Sequence, residues 1–127
     1  MAIVIRAAHF PGRAPIEAYG NGGFRFAGMS HRGSLLCLPS GIYGWEAPSA
    51  DALDAESLAR MFDEAADIEI LLVGTGTELH LLPAVLRERC RAEKIVAEPM
   101  ATGAAVRTFN VLLAEARSVA AALMAVP

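Results

Sequence analysis

The chain has 127 residues and a formal net charge of -3, with 54% hydrophobic and 20% charged residues, which suits one globular domain that buries its own core without metals or disulfide staples. That balance leaves no clustered basic face of the kind nucleic-acid phosphates demand, so nucleic acid is excluded as a partner. Cys37 and Cys90 are too far apart for a CxxC motif and too few for a disulfide framework, and they read as buried free thiols.

The amino-terminal apolar run Met1-Ala2-Ile3-Val4-Ile5 is broken by Arg6, well short of a signal-peptide core, and no stretch approaches the roughly 20 apolar residues of a membrane span. The expectation is a cytoplasmic protein without membrane insertion. Residues 1–15 read as a partly disordered lead-in punctuated by Phe10-Pro11-Gly12 and Ala14-Pro15, and residues 16–127 as a single α/β domain.

From Ile16 to Trp45 glycines and prolines recur every few residues and helical periodicity is absent, so short strands joined by tight turns are expected. Asn21-Gly22-Gly23 is a hairpin signal, and Phe24 and Phe26 alternate with Arg25 as on a half-buried strand. A second turn at Ala27-Gly28 leads to Met29 through Arg32. Ser34 to Leu38 reads as a more buried strand, and Gly41 to Trp45 as another. Trp45, the only Trp, belongs at the sheet edge with a partner for its indole N–H.

After a loop over Ala47 to Asp54, Asp54 is placed to cap a helix, with Leu53 and Leu58 as a hydrophobic staple and Leu58, Met61, Phe62 and Ala65 as its apolar face. Ile68 to Val73 should be buried on both faces, like a parallel strand. Pro83 suits the first turn of a helix reaching about Arg91, with Val85, Leu86 and Cys90 on one side and Arg87, Glu88 and Arg91 on the other. Lys94 to Ala97 is a short strand. Thr102 is the expected N-cap of a terminal helix whose stripe is Ala105, Phe109, Leu112, Ala116, Val119 and Leu123. Strand, helix, strand and helix make a crossover unit with two parallel strands.

The chemistry-bearing stretch is the turn Gly74-Thr75-Gly76-Thr77, just past the carboxyl end of a buried strand, where open α/β sheets place their crevices. Its glycines serve either a tight turn or a close backbone approach to an anion. The third glycine of a dinucleotide fingerprint and the Gly-Lys-Ser/Thr of a P-loop are both missing. Thr102 through Asn110 supplies the other wall. Arg107 and Asn110 share a helix face, either as a solvated polar face or as a clamp for a carboxylate, phosphate or partner backbone. The candidate ligand-binding set is therefore Gly74, Thr75, Gly76, Thr102, Arg107 and Asn110.

No catalytic set assembles: His9, His31 and His80 are scattered without metal-ligand spacing, and the available hydroxyls lack a visible base. No cofactor or metal is expected, and the balance leans away from an enzyme.

Leu72-Val73-Gly74-Thr75-Gly76, then Thr102, Ala104-Ala105 and Arg107-Thr108-Phe109-Asn110-Val111-Leu112, then Glu115-Ala116-Arg117 before Ala120-Ala121 and Leu123, resemble the domain of unknown function 498 family. Gly33-Ser34 through Pro39 and Trp45 agree with that family's strand-rich first half, so the resemblance covers roughly residues 16 to 124. It implies a single three-layer α/β domain with a mixed central sheet, a β-hairpin layer on one side and helices on the other. It also implies kinship with a mitochondrial assembly factor for respiratory complex I and with an adipogenesis-associated protein, and it supplies no catalytic residues. Two readings follow. One is a non-enzymatic module that binds a protein partner such as a respiratory complex or its assembly machinery, which calls for an exposed apolar or edge-strand surface. The other is a small-molecule or anion site between Gly74 and Asn110.

Overall fold

Asn21 and Gly22 both adopt left-handed backbone angles (φ 53° and 80°), as do Ala27 and Gly28 (φ 48° and 73°), and these two pairs turn the first half of the chain back on itself twice. In the computed structural model, which describes residues 10–127, the resulting strands β2 (Ile16–Gly20), β3 (Gly23–Phe26) and β4 (Met29–Arg32) form an antiparallel three-stranded sheet. Phe24 and Phe26 point inward and Arg25 outward, as their alternation requires. A register shift between Ile16 and Ala18 frees Glu17, whose carboxylate accepts from the Gly28 N–H at 3.1 Å and lies 3.4 Å from Arg25.

The remaining strands are β1 (Phe10–Pro11), β5 (Ser34–Leu38), β6 (Gly41–Trp45), β7 (Ile70–Gly74), β8 (Val96–Met100) and β9 (Val119–Leu123). They build a second, mixed sheet in the order β1-β6-β5-β9-β7-β8. Strands β7, β8 and β9 are mutually parallel, β9 meets β5 antiparallel, and β5 and β6 form a hairpin. Of the expected disordered lead-in, residues 1–9 lie outside the described residues. Phe10–Pro11, read from sequence as punctuation, pairs with β6.

Three α-helices complete the described residues: α1 (Ala59–Phe62), α2 (Ala84–Ala92) and α3 (Thr102–Ala114). One face of the six-stranded sheet carries Leu36, Leu38, Leu71, Val73, Ala120 and Ala122 against Leu58, Met61, Leu86 and Cys90 of the α1 and α2 side. The other carries Leu35, Cys37, Leu72, Ala121 and Leu123 against Ala105, Val106 and Phe109 of α3 and Ile16, Phe24 and Phe26 of the small sheet. The expected three layers are present, with α3 lying beside the hairpin sheet.

Three element readings are corrected. The helix expected from Asp54 is only the single turn α1, followed by a 3-10 turn over Ala65–Asp67. Asp54 still accepts from the Ser57 N–H at 2.8 Å, and Ser57 Oγ accepts from the Asp54 N–H at 3.1 Å, but this reciprocal box closes a turn ahead of α1. Val85 does not share the buried side of α2. Leu86 and Cys90, one turn apart, fill that side, while Val85 sits about 100° round the axis and is exposed.

The terminal helix stops at Ala114 rather than carrying its stripe to Leu123. Arg117 N–H donates to Leu112 O at 3.0 Å and Ala116 N–H to Leu113 O at 2.9 Å around a left-handed Ala116 (φ 58°), a Schellman ending. Val119 to Leu123 then becomes β9, every residue of it buried in the middle of the sheet. Alanine's helix preference is a few tenths of a kcal/mol per residue, and strand ladders on both edges of β9 outweigh it.

Candidate functional site

Gly74 ends β7 buried between α3 and β9. A Cβ there would lie 3.0 Å from both Cα and Oγ1 of Thr102 and 3.2 Å from Leu123 Cδ2, so glycine allows the start of α3 to approach the strand end. Gly76 follows with φ 104°. The N–H groups of Thr75 and Gly76 and the carbonyls of Gly74 and Gly76 bond within the protein. Thr75 N–H donates to Met100 O at 2.9 Å, and Gly76 O accepts from Thr102 N–H at 2.8 Å. Gly76 N–H donates to Thr102 Oγ1 at 3.0 Å, while that hydroxyl donates to Met124 O at 2.8 Å. Thr75 Oγ1 donates to Glu78 O at 2.7 Å and accepts from His80 N–H at 3.0 Å.

Thr102 is therefore not the N-cap: Ala101 holds that position, and the Thr102 side chain makes no capping bond because it is turned into the core toward Met124. These bonds tie together the carboxyl ends of β7, β8 and β9 at the head of α3. A nest for an anion needs unspent N–H groups, and here the N–H groups of Thr75 and Gly76 are both bonded to protein.

Of the six candidate residues, Gly74, Thr75, Gly76 and Thr102 come together in this knot. Asn110 is engaged elsewhere: its Oδ1 accepts from Ile16 N–H at 2.8 Å and its Nδ2 donates to Ile16 O at 2.9 Å, so its amide pairs with β2 as a neighbouring strand would. Arg107 is exposed on α3, and its side chain makes no hydrogen bond or ion pair among the described residues.

Burial pushes the Cys37 thiol up to about 12 and also raises Cys90, where Glu93 adds to the rise and Arg89 opposes it. Both cysteines are free and buried, so neither offers a thiolate nucleophile at neutral pH. Trp45 has the indole partner its burial calls for, Ser57 O at 2.9 Å.

Two clefts are lined by residues outside the candidate set. One, of about 450 Å³, runs along the small sheet between Tyr19, Phe24, His31 and Arg32. The other, of about 430 Å³, lies between α2 and the start of β8, lined by Arg87, Arg91, Lys94, Ile95, Val96 and Ala97. The sequence reading assigned Arg87 and Arg91 only to a solvent side. Their spacing with Lys94 (i, i+4, i+7) was the available signal, since like charges one turn apart cost helix stability and an acid between them would relieve it.

Leu79, Leu81 and Val85, exposed by 54%, 78% and 80%, were also missed, because short apolar runs read as core by default. Among the described residues no group of three or more His, Cys, Asp or Glu side chains is arranged to hold a metal ion, and no helix is long and apolar enough to cross a membrane.

The fold recurs in known proteins. A crystal structure described as an outer membrane protein from Bartonella henselae superposes with a TM-score of 0.90 at 59% identity, covering 94% of this chain and all of that one. An NMR structure of a Rhodopseudomonas palustris protein matches with a TM-score of 0.84 at 50% identity, over all of this chain and 94% of that one. An uncharacterised protein of Rhodobacter capsulatus is 38% identical over 96% of this chain and 93% of its own length. The zebrafish (Danio rerio) NADH dehydrogenase [ubiquinone] 1 alpha subcomplex assembly factor 3 is 34% identical over 88% of this chain, which spans 64% of that protein. The family model described as Protein of unknown function (DUF498/DUF598) matches residues 16–124, the small sheet through β9, and the chain belongs to that family.

Proposed function

We propose that this domain is a non-enzymatic protein-binding module with an assembly role, related in its work to the complex I assembly factors it resembles and acting in the cytoplasm. The observation that carries this reading is the exposed apolar strip. Leu79 and Leu81, in the segment joining the knot to α2, and Val85, in the first turn of α2, stand in solvent within seven residues of chain. Single exposed apolar side chains are ordinary, but three bulky ones so close in the chain favour a surface covered by a protein. The assembly reading also called for an edge strand, and β8 ends the six-stranded sheet among the described residues.

The test is affinity capture of the tagged protein from its own cell extract, beside Leu81→Glu, Val85→Glu and Arg107→Ala variants, with mass spectrometry of what is retained and fractionation to locate the protein. A stoichiometric subunit or assembly protein of a respiratory complex, kept by wild type and lost about tenfold or more with Leu81→Glu, supports the module. All three variants keeping the same proteins as wild type would sink it. The second reading, an anion bound between the Gly74 turn and the Arg107/Asn110 face, rests on the exposed Arg107, since the Gly76 N–H and the Asn110 amide already bond within the protein. A phosphate titration followed by amide shifts at Gly76 and Arg107 distinguishes it.

A further inference from the structure

Resting on the binding-module reading, we infer that the cleft between α2 and the β8 edge receives a short acidic segment of a partner protein in extended conformation. Three independent features converge there. The first is charge. In a chain of net charge -3, Arg87, Arg91 and Lys94 line one cleft, and none of their side chains makes an ion pair or hydrogen bond among the described residues. Their neighbour Arg89 shows the contrast: it bonds Glu93 at 3.2 Å and stacks on the Phe62 ring at 4.3 Å.

The second feature is backbone. Val96 N–H donates to Glu69 O, and Met100 O accepts from Thr75 N–H, so Val96, Glu98 and Met100 direct their peptide groups at β7. By the alternation of a parallel ladder, Ala97 turns its N–H and C=O to the open edge. Pro99 next offers no donor on that side, which limits strand addition to the stretch beside the cleft and protects the rest of the edge. Val96, 56% exposed, gives the guest an apolar contact at the same place.

The third is spacing. Arg87 and Arg91 lie one helical turn apart, about 6 Å along the axis. Alternate side chains of an extended strand lie about 6.8 Å apart. A carboxylate at every second position of the guest therefore meets successive guanidinium groups of α2, each able to take two oxygens, while its backbone pairs with Ala97. With so few backbone bonds, charge supplies most of the hold, and the interaction must weaken with salt.

The probe is a fluorescein-labelled, acetylated Glu-Thr-Glu-Thr-Glu-Thr peptide, with a Lys-for-Glu twin and inorganic phosphate as controls, titrated into the intact protein. Anisotropy gives affinity and 15N amide shifts give location. The expected result is binding of the acidic peptide below about 1 mM, shifts centred on Arg87, Arg91 and Ile95 to Ala97, and no binding of the twin. Affinity should fall about tenfold or more in an Arg87→Glu/Arg91→Glu double variant, whose exposed positions leave the core intact, and several-fold between 50 and 200 mM salt.

The inference is overturned by no binding up to about 1 mM, by equal binding to the double variant, or by shifts elsewhere. Phosphate reproducing the same shifts at the same concentration would overturn it too, reassigning the cleft to a free anion. Running the double variant through the capture experiment separates the two proposals. A partner kept by the double variant but lost with Leu81→Glu leaves the module standing and removes the cleft from it, whereas capture that is indifferent to every variant removes both.

Discussion

Thr102 uses one hydroxyl twice, donating to Met124 O and accepting from Gly76 N–H in a fully buried position. Replacing it with the isosteric valine leaves both backbone groups unpaired, for an expected loss of about 3 kcal/mol in urea unfolding. Serine keeps both bonds and loses a methyl, about 1 kcal/mol. A valine variant no less stable than the serine one would refute the knot. Gly74→Ala should cost about 1–3 kcal/mol, because the added Cβ meets a helix backbone that cannot swing aside.

Cys37 carries a pH dependence. Its folded value of about 12 lies above the ordinary 9.0, so its protonated form is favoured by folding. That stability is fully present below about 9 and is lost as pH climbs toward 12, with a slope of at most about 1.4 kcal/mol per pH unit. Unfolding midpoints between pH 8 and 10.5 should decline more steeply for wild type than for Cys37→Ala. At this scale the sequence revealed that the residues around Gly74 and Thr102 belong together, but not what they do. The partners of Thr102 and Asn110 are Met124 and Ile16, remote in the chain, and neither is implied by anything local.

At the scale of elements, both long helices end on residues other than glycine in the left-handed region, Lys94 (φ 63°) and Ala116 (φ 58°). The Schellman bonds are complete in each: Ile95 N–H reaches Cys90 O at 2.9 Å, and Arg117 N–H reaches Leu112 O at 3.0 Å. Ala116→Gly should add about 0.5–1 kcal/mol by removing the Cβ penalty, read as a raised thermal midpoint without a change in helix content.

The same two positions explain what was legible. The hairpins were marked by Asn21-Gly22 and Ala27-Gly28, and β3 by its Phe-Arg-Phe alternation, so the first half could be read strand by strand. The end of α3 bore no glycine, and Ala116, Val119 and Leu123 prolonged a helical spacing that happened to continue across a turn. An Ala-rich strand buried on both faces has no alternation to betray it.

At the scale of the molecule, β9 joins the antiparallel half, β1-β6-β5, to the parallel half, β7-β8. Its small side chains, Ala120, Ala121 and Ala122, have no exposure, and they admit the layers on both sides of the sheet. A chain cut after Ser118 should show no cooperative unfolding by circular dichroism, and a native-like spectrum from that fragment alone would contradict the central role of β9. Removal of residues 1–9, which leaves β1 in place, tests the lead-in separately, with retention of the wild-type midpoint expected.

Chain order gives that central strand a consequence during synthesis. A ribosome releases β5 and β7 long before β9, yet Leu35 waits for Leu123 and Leu72 for Ala121. Until then each half-sheet presents an open flank of unpaired peptide groups and an apolar face, the surface that chaperones bind and that aggregates grow from. The domain must therefore close after its last strand emerges rather than as it is made, and its yield in the cell should depend on holdase capacity more than on any local sequence choice. The same arrangement makes it a natural split reporter: a fragment through Ser118 lacks the strand that joins its two half-sheets, and a separate β9 peptide supplies it.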